Sequence, residues 1–451
     1  LFIKAINSSS EAEQSEICSK TFFDYNDDSK RVKILEFIKK LHDNYSPMEY
    51  HSSELTEFIM NDGTISRHLH IFAKKKGQDK WQDFQMKLST TQPYTFMGIA
   101  FVAEVTEPIF LPNGEIEQKN TLDWLTGYIE KLNKNNSLSG SILIAKGNNI
   151  IFEKYFGYAD DKKEVPVTEN TLFNMASGGK MFTAIAIAQL VEKKLLRYED
   201  KIEKYFPEFE DKEKLKKVTI HHLLNHSSGI AEYWKPGTQK DVFKVSKNED
   251  ALTLVYNAGF QFEPGSEFGY SNSNFVLLGL IVEKVTNDSF YNYVKNNILV
   301  PSDMMYTDYY FFDDDRFPIA KPLARNGDDW VEAEHGIRGS AAGGSCSNLK
   351  DILKFSFALK NHKLISEKGF KNMITDKTKG LKDATGYGYG FILNKYPGTT
   401  SYGHGGIAPG VNFDFEYFPE SDITFVIFNN QDNGAFDDLR KNSIKLITGE
   451  R

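Results

Sequence analysis

Hydrophobic residues recur with two different periods in the first 115 residues of the chain. From residue 29 to residue 42, apolar side chains fall at helical spacing, which predicts a helix. Apolar and polar residues then alternate around Ile71, around Phe84 and from residue 97 to 105, which predicts three strands. The tract KKKGQDK between the first two is a turn that joins them as a hairpin. We expect a small α+β domain over residues 1–115, with a role that its sequence does not reveal.

A second pattern begins after EPIFLPNGEIEQKN, whose two prolines and Asn-Gly pair are typical of a domain boundary. A helical stretch, LDWLTGYIEKL, precedes SILIAKGNNIIFEKYFGYA, in which two β-rich runs flank a turn and predict a hairpin. Three more strands are predicted in SYGHGG, VNFDFEYF and ITFVIFNN, before a last helix at about 435–447. Residues 116–451 are therefore expected to form an α/β domain. Its one sheet is built from both ends of the region and flanked by helices, with an inserted, mainly helical part at about 171–389.

Composition narrows the class of protein. A chain of 451 residues exceeds what one hydrophobic core usually organises, and 40% hydrophobic with 26% charged residues is ordinary for a folded globular protein. The formal net charge of -8 argues against general binding to nucleic acid or to an anionic membrane. No apolar run approaches the roughly 18 residues that a membrane span requires. The chain begins without methionine, which is consistent with a removed export signal.

Patterns of metal ligands are weak. Cys18 and Cys346 lie far apart and form neither a disulfide framework nor a zinc pattern. His222 and His226 have the spacing of a zinc protease helix, but Leu223 stands where the catalytic glutamate belongs. The acidic stretch FFDDDRFP lacks the spacing of a calcium loop and is expected to be a solvated turn. We therefore expect no metal and no cofactor.

The stretch NMASGGKMFTAIAIAQL opens a helix that is apolar on nearly all sides. Ser177 and Lys180 stand three residues apart and so share a helix face. Burial of a lysine is unfavourable unless the amine is paired or deprotonated, and a serine hydroxyl becomes a nucleophile when a base lies beside it. A helix-capping serine with a solvent-directed lysine is the alternative. The four-residue pattern alone favours that alternative, because the pattern recurs by chance.

Two later motifs change that balance. Tyr270-Ser271-Asn272 precedes a strongly apolar helix, and the triplet His404-Gly405-Gly406 ends a predicted strand. Serine with lysine, Tyr-x-Asn and a Lys/His-x-Gly triplet, in this order, resemble the serine β-lactamase and penicillin-binding protein superfamily of bacteria. The chain is most similar to the class C-like branch, which includes esterases, D-aminopeptidases and DD-carboxypeptidases. The resemblance covers about residues 121–450 and implies a β-lactamase-like fold with an antiparallel sheet.

The resemblance also implies roles for individual residues. Ser177 would attack an acyl carbonyl and form a covalent acyl-enzyme that water later hydrolyses. Tyr270, with its pKa lowered by the ammonium group of Lys180, would act with that lysine as the proton shuttle. The backbone N–H groups of Ser177 and Ile407 would form the oxyanion hole. Asn272 would orient either a substrate amide or the lysine itself.

The third motif bears on the substrate. Gly405 and Gly406 would let a substrate lie along the strand edge beside His404. Many β-lactamases carry lysine at that position, so a mostly neutral histidine favours an esterase or a D-amino-acid peptidase over a β-lactamase. Expected substrates are small acyl esters, β-lactams or short D-amino-acid peptides. The alternative is a non-catalytic protein of the same fold that binds penicillin or peptidoglycan fragments as a sensor. The resemblance implies a periplasmic or secreted location, and leaves a cytoplasmic location and the oligomeric state open.

Overall fold

The chain divides into two compact units, residues 1–111 and 112–450. The computed structural model describes residues 2–8, 10, 12–13, 36, 38–44, 46–59, 65–77, 81–88, 96–105, 111–112, 115–134, 138–235, 237–326, 329–382, 386–431 and 435–450. Cys18 and the first part of the helix predicted from residue 29 lie outside these residues. Over the described ranges, every helix is too short or too polar to cross a membrane.

The first unit contains a four-stranded antiparallel sheet with strand order β1-β2-β3-β4. Its elements are α1 (Phe2–Asn7), β1 (Met48–Ile59), β2 (Ile65–Lys75), β3 (Trp81–Leu88) and β4 (Phe96–Val105), and residues 38–44 are helical. Strands β2, β3 and β4 are the three that alternation predicts. Strand β1 was not predicted, since its sequence MEYHSSELTEFI mixes polar and apolar residues without regular alternation, and pairing with β2 defines it.

The second unit is built on a six-stranded antiparallel sheet. Its strands are β5 (Gly140–Lys146), β6 (Asn149–Phe156), β11 (Ile392–Tyr396), β12 (Thr399–Ala408), β13 (Val411–Phe418) and β14 (Ile423–Asn429). They are arranged in the order β11-β12-β13-β14-β5-β6. The pairing of β14 with β5, from Gly140 opposite Asn429 to Lys146 opposite Ile423, joins the two ends of the unit. This confirms the prediction of one sheet built from both ends, with β11 as an additional edge strand.

The part between the strands is mainly helical, as predicted. In chain order, the helices of this unit are α2 (Lys119–Lys134), α3 (Lys180–Glu192), α4 (Lys212–Leu215), α5 (Ile220–Leu224), α6 (Gln239–Val242), α7 (Leu252–Ala258), α8 (Asn272–Thr286), α9 (Phe290–Val294), α10 (Leu349–Lys360), α11 (Glu367–Met373) and α12 (Ala435–Thr448). Two short strand pairs were not predicted: β7 (Phe173–Asn174) with β10 (Cys346–Ser347), and β8 (Leu323–Asn326) with β9 (Asp329–Glu332).

Both faces of the sheet are covered, and strand β13 shows how. All eight of its residues are buried. Because side chains alternate along a strand, the ring of Phe415 points to one face and packs 6.1 Å from Phe355 of α10. Glu416 points to the opposite face, where its Oε1 accepts a hydrogen bond from Arg440 of α12 at 2.7 Å. Helix α3 lies on the same side as α10, since Phe182 packs against Phe355, and α3 is buried from Lys180 to Leu190 as its composition predicts.

Candidate active site

A tight turn positions Ser177. This residue lies in a 3-10 turn that passes directly into α3, of which Lys180 is the first residue. The preceding Ala176 has a φ of +42°, a region that residues other than glycine rarely adopt. Two contacts hold it there: the Ala176 N–H donates to Asn174 Oδ1 at 2.8 Å, and the Gly344 N–H donates to the Ala176 carbonyl at 2.9 Å. The surroundings therefore impose the backbone conformation at the serine.

Lys180 is completely buried, so the alternative of a solvent-directed lysine is wrong. Its Nζ lies 3.0 Å from Ser177 Oγ, 2.6 Å from Asn272 Oδ1 and 2.5 Å from the Ala342 carbonyl oxygen. Burial lowers the pKa of Lys180 to about 7, with the charge of Glu232 acting in the opposite direction. The amine is therefore poised to exchange a proton near neutral pH.

The three partners of the amine differ in what they can do. The carbonyl oxygen of Ala342 and the side-chain oxygen of Asn272 can only accept hydrogen bonds. A neutral amine has two N–H groups and one lone pair, so it donates to these two oxygens and keeps the lone pair for the hydroxyl of Ser177. When the amine is neutral, this arrangement leaves its lone pair facing the Ser177 hydroxyl.

Tyr270 is beside this pair, in the loop that leads into α8. The centre of its ring is 5.0 Å from Lys180 Nζ, and the residue remains 38% exposed. Burial of its hydroxyl raises the pKa of Tyr270 well above the usual range, and a hydrogen bond with Ser177 opposes that effect. The expectation that Lys180 lowers the pKa of this phenol is wrong, because desolvation dominates and the charge of Glu232 acts in the same direction. Tyr270 is protonated at neutral pH.

His404 is buried and makes its contacts within the protein. It is 3% exposed, its Nδ1 lies 2.5 Å from the Gly405 carbonyl oxygen, and its Nε2 lies 3.0 Å from the Tyr387 hydroxyl. The carbonyl can only accept, so Nδ1 carries the proton and Nε2 accepts from Tyr387. Burial lowers the pKa of His404 to about 3. The ring is neutral, as expected, but both nitrogens are bound within the protein, so the direct substrate contact expected of His404 has no free nitrogen to make it.

A second buried histidine packs against Tyr270. The ring of His226 stacks on that of Tyr270 with centres 4.3 Å apart, and its Nδ1 accepts from the Ser271 N–H at 3.1 Å. His222 faces elsewhere, since its Nδ1 accepts from the Thr219 N–H at 3.3 Å and caps α5. The H-x-x-x-H spacing is therefore structural, and His226 fixes the plane of the Tyr270 ring.

Strand β12 approaches the serine through a glycine. A Cβ atom placed on Gly406 would lie 2.1 Å from the Met175 carbonyl oxygen and 3.0 Å from the Ser177 nitrogen. Only glycine allows this approach. A Cβ on Gly405 would lie 3.4 Å from Asp414 Oδ1, an ordinary van der Waals distance. The next residue, Ile407, is 74% exposed and lines the same cleft as Ser177.

Asn272 is held by a carboxylate that sequence analysis missed. Asn272 is the first residue of α8, and both its backbone N–H and its side-chain Nδ2 donate to Glu232 Oε2, at 2.7 and 3.0 Å. The other oxygen, Glu232 Oε1, accepts from the Trp234 N–H at 2.7 Å. Glu232 lies 40 residues from Asn272 along the chain and belongs to no motif. The one signal in the sequence is that Glu232 follows LLNHSSGI at residues 223–230, a stretch that also resembles the superfamily.

The site opens into a cleft of about 710 Å³. Ser177, Glu232, Asn272 and Ile407 lie on its walls. Aromatic side chains also line it: Tyr233, Trp234, Phe243, Phe312 and Phe317. Tyr233 and Trp234 are thus pocket residues, whereas Tyr309 belongs to the hydrophobic core. The cleft offers an apolar enclosure beside the serine.

Three side chains at the edge of the cleft could hold a metal ion. The ligand atoms of Asp313, Glu332 and His335 lie within 4.8 Å of one another. Glu332 already has protein partners for both of its oxygens: His335 Nε2 is 3.2 Å from Oε1, and Lys321 Nζ is 2.6 Å from Oε2. These ion pairs account for the cluster, which does not contact the Ser177 turn through any of the hydrogen bonds described.

Comparisons with known proteins identify the family of the chain. The family profile described as Beta-lactamase matches residues 125–449. Penicillin-binding protein 4* of Bacillus subtilis is 30% identical over 300 residues, which cover 62% of this chain and 65% of that relative's length. The crystal structure of a penicillin binding protein from Bacillus halodurans matches with a TM-score of 0.64 at 32% identity, over 71% of this chain and 98% of that chain.

A third comparison concerns the fold alone. D-amino acid amidase from Ochrobactrum anthropi SV3, complexed with L-phenylalanine amide, matches with a TM-score of 0.61 at 21% identity, over 72% of this chain and 99% of that chain. The family match spans well over half of the chain, and the two solved structures match its fold over 71% and 72% of its length. The chain therefore belongs to the beta-lactamase family, within the superfamily of serine β-lactamases and penicillin-binding proteins that its motifs resemble.

Proposed function

We propose that the protein is a serine hydrolase that cleaves an ester or amide bond through a covalent acyl-enzyme on Ser177. The observation that carries this proposal is the 3.0 Å contact between Lys180 Nζ and Ser177 Oγ, made by an amine whose pKa burial lowers to about 7. A general base is most effective when its pKa lies near the working pH. A buried, deprotonated lysine aimed at a serine hydroxyl is difficult to explain as a packing residue.

In the proposed acylation step, Ser177 Oγ bonds to the acyl carbon while its proton passes to the neutral amine of Lys180. The carbonyl oxygen takes up the negative charge and receives hydrogen bonds from the backbone N–H groups of Ser177 and Ile407. Support for this oxyanion hole comes from the close approach of Gly406 to the Ser177 nitrogen and from the exposure of Ile407 in the cleft.

Protonated Tyr270 then gives its proton to the leaving oxygen or nitrogen and is reprotonated by the ammonium of Lys180. Collapse of the tetrahedral intermediate breaks the bond to that leaving group. In deacylation, a water molecule takes the place of the leaving group, and the same proton transfers run in reverse to release the acid and free Ser177.

For the substrate, we propose an acyl ester or a D-amino-acid amide or short peptide in preference to a β-lactam. The third motif offers the neutral His404 where a lysine would hold an antibiotic's carboxylate. The names of the similar proteins, a penicillin-binding protein and a D-amino acid amidase, are compatible with this class. A periplasmic or secreted location is part of the same proposal.

Labelling with a fluorophosphonate tests the proposal. The reagent phosphonylates activated serines, and intact-mass and peptide mass spectrometry locate the adduct. We expect stoichiometric modification of Ser177 in the wild-type protein. Reversible binding of penicillin without any adduct on Ser177 would instead support the non-catalytic binding protein.

Gly405 and Gly406 of the third motif allow a matched test of the close approach of β12 to Ser177. Gly406→Ala places a methyl group against the Met175 carbonyl and the Ser177 nitrogen, so we expect labelling to slow about 100-fold and the melting temperature to fall by several degrees. Gly405→Ala has ordinary space and should label within about threefold of wild type. Equal labelling rates for the two variants would contradict this account of β12.

The charge of the cleft predicts a substrate preference. Two cationic side chains, Lys321 and Arg338, line it together with six carboxylates: Glu232, Asp313, Asp314, Asp315, Glu332 and Glu334. Such a negative field favours positively charged substrates. Among p-nitrophenyl esters of equal length, 6-aminohexanoate should therefore have a higher kcat/KM than hexanoate, and hexanoate a higher one than the adipate monoester.

We expect the ratio between the cationic and anionic esters to be on the order of tenfold at low salt and to shrink as salt is added, since ions screen exposed charges. Uncatalysed hydrolysis of each ester in buffer provides the correction for intrinsic reactivity. A faster reaction of the anionic ester, or a ratio insensitive to salt, would show that the cleft charges do not select the substrate.

A further inference from the structure

Given the acyl-enzyme function proposed above, we infer that Glu232 is a positioning residue that fixes the orientation of the Asn272 amide and so keeps the lone pair of Lys180 directed at Ser177. Glu232 makes none of the proposed contacts with the reacting atoms. It acts through Asn272, at the end of a chain of contacts that runs from Glu232 through Asn272 and Lys180 to Ser177.

The carboxylate selects one of the two orientations of the amide. An ionised carboxylate only accepts hydrogen bonds, so the NH₂ group of Asn272 must face Glu232 Oε2, at 3.0 Å. The side-chain oxygen of Asn272 must then face Lys180 Nζ, at 2.6 Å. In the reversed orientation the NH₂ group would point at the amine and compete with Ser177 for its lone pair.

Glu232 is itself held rigidly. The backbone N–H of Asn272 donates to Oε2 at 2.7 Å and that of Trp234 donates to Oε1 at 2.7 Å, so both oxygens are fixed by main-chain groups. The first of these N–H groups lies at the start of α8, where the helix dipole also favours a negative charge. The orientation of the amide is therefore set before any substrate arrives.

The same carboxylate influences proton transfer. Its negative charge raises the pKa of Lys180 against the effect of burial. Other titratable groups that face the amine are Tyr270, His226 and His404, and burial holds the pKa of both histidines far below neutrality and that of the tyrosine far above it. Among the described groups around Ser177, Lys180 is thus the one expected to set the acid limb of the pH profile.

The test uses Glu232→Gln in the full chain, with Glu249→Gln, at an exposed glutamate, as the matched control. A glutamine at 232 has one NH₂ group and no charge, so it no longer dictates the amide orientation and no longer raises the pKa of Lys180. We expect kcat for a p-nitrophenyl ester to fall about 10- to 100-fold, with little change in KM, and the acid limb of the kcat/KM profile to move to lower pH. The control should match wild type.

A rescue experiment separates positioning from folding. In the double variant Glu232→Gln/Asn272→Asp, both oxygens of the new aspartate accept, so one faces Lys180 and the other receives the glutamine NH₂ group. Because a carboxylate in contact with Lys180 raises the pKa of the amine, rates are compared at a pH above the acid limb of each variant. There we expect the double variant to be about tenfold faster than Glu232→Gln, whereas a role in stability alone predicts no recovery.

The outcomes are distinguishable. If wild type forms no adduct on Ser177, the proposed function fails. If wild type is labelled and Glu232→Gln has an unchanged kcat and acid limb, only the role of Glu232 is overturned. A change confined to KM would also overturn it, because it would make Glu232 a substrate contact.

Discussion

Replacing Ser177 with alanine is expected to abolish turnover while leaving the fold intact. We expect kcat/KM for ester hydrolysis to fall by at least about 10,000-fold, because the variant lacks the hydroxyl that forms the acyl bond. Stability should change little. Ser177 is only partly buried, and its hydroxyl hydrogen bonds with side chains of the site, so the free energy of unfolding should change by about 1 kcal/mol or less.

Three measurements check this expectation: steady-state hydrolysis of a p-nitrophenyl ester, mass spectrometry after fluorophosphonate treatment, and a thermal melt. Ser266→Ala is the matched control, since Ser266 is an exposed serine whose hydroxyl donates to the Glu263 carbonyl. Its activity and labelling should equal those of wild type. Residual turnover near the wild-type rate in Ser177→Ala, or a stoichiometric adduct on a different serine, would remove Ser177 from the mechanism.

Local patterns were sufficient to predict most strands of the six-stranded sheet and the proximity of Ser177 and Lys180. The strands β12, β13 and β14 and the hairpin of β5 and β6 each carry their own alternation and turn residues, so the sequence shows them one at a time. Ser177 and Lys180 are three residues apart, which makes their proximity a property of the local backbone. The strands β1 and β11 lacked such a pattern, and their neighbours in the sheet define them.

The contacts that tune the site could not be predicted in this way. Lys180 is bound by Asn272 and by the Ala342 carbonyl, 92 and 162 residues away in the chain, and Glu232 enters through Asn272. The expectation that the pKa of Tyr270 is lowered was wrong for the same reason. A sequence shows that a lysine is near a tyrosine motif, but the burial that dominates both pKa values depends on packing from several distant segments.

Substitution of Lys180 by methionine is expected to remove activity to a similar extent as loss of Ser177, and to change how stability depends on pH. The thioether cannot accept the serine proton, and Lys180→Arg should be equally inactive, because a guanidinium stays charged at any working pH.

In wild type, the rate of fluorophosphonate labelling should rise with pH through a limb near pH 7, where burial places the pKa of Lys180. The control is Lys193→Met, at an exposed lysine beside the end of α3.

The sign of the stability effect follows from linkage. The pKa of Lys180 is about 7 in the folded protein and 10.5 for an unperturbed lysine, so between these values the unfolded chain binds a proton that the folded protein lacks. Stability therefore rises with pH across this window, by up to about 1.4 kcal/mol per pH unit. The lowered pKa of Lys180 therefore reduces the free energy of unfolding by its full amount, on the order of 5 kcal/mol, below pH 7. Above pH 10.5 the reduction is absent.

Urea unfolding of wild type and Lys180→Met from pH 6.5 to 9.5 measures this effect. It appears as a difference between the two proteins in the slope of the free energy of unfolding against pH. The methionine variant leaves the Ala342 carbonyl and Asn272 Oδ1 without their donor, which lowers its stability by a roughly pH-independent amount and does not affect the comparison of slopes. We expect wild type to gain stability relative to the variant as the pH rises. Parallel curves would mean that Lys180 keeps its proton in the folded protein, and an amine that keeps its proton cannot serve as the base for Ser177.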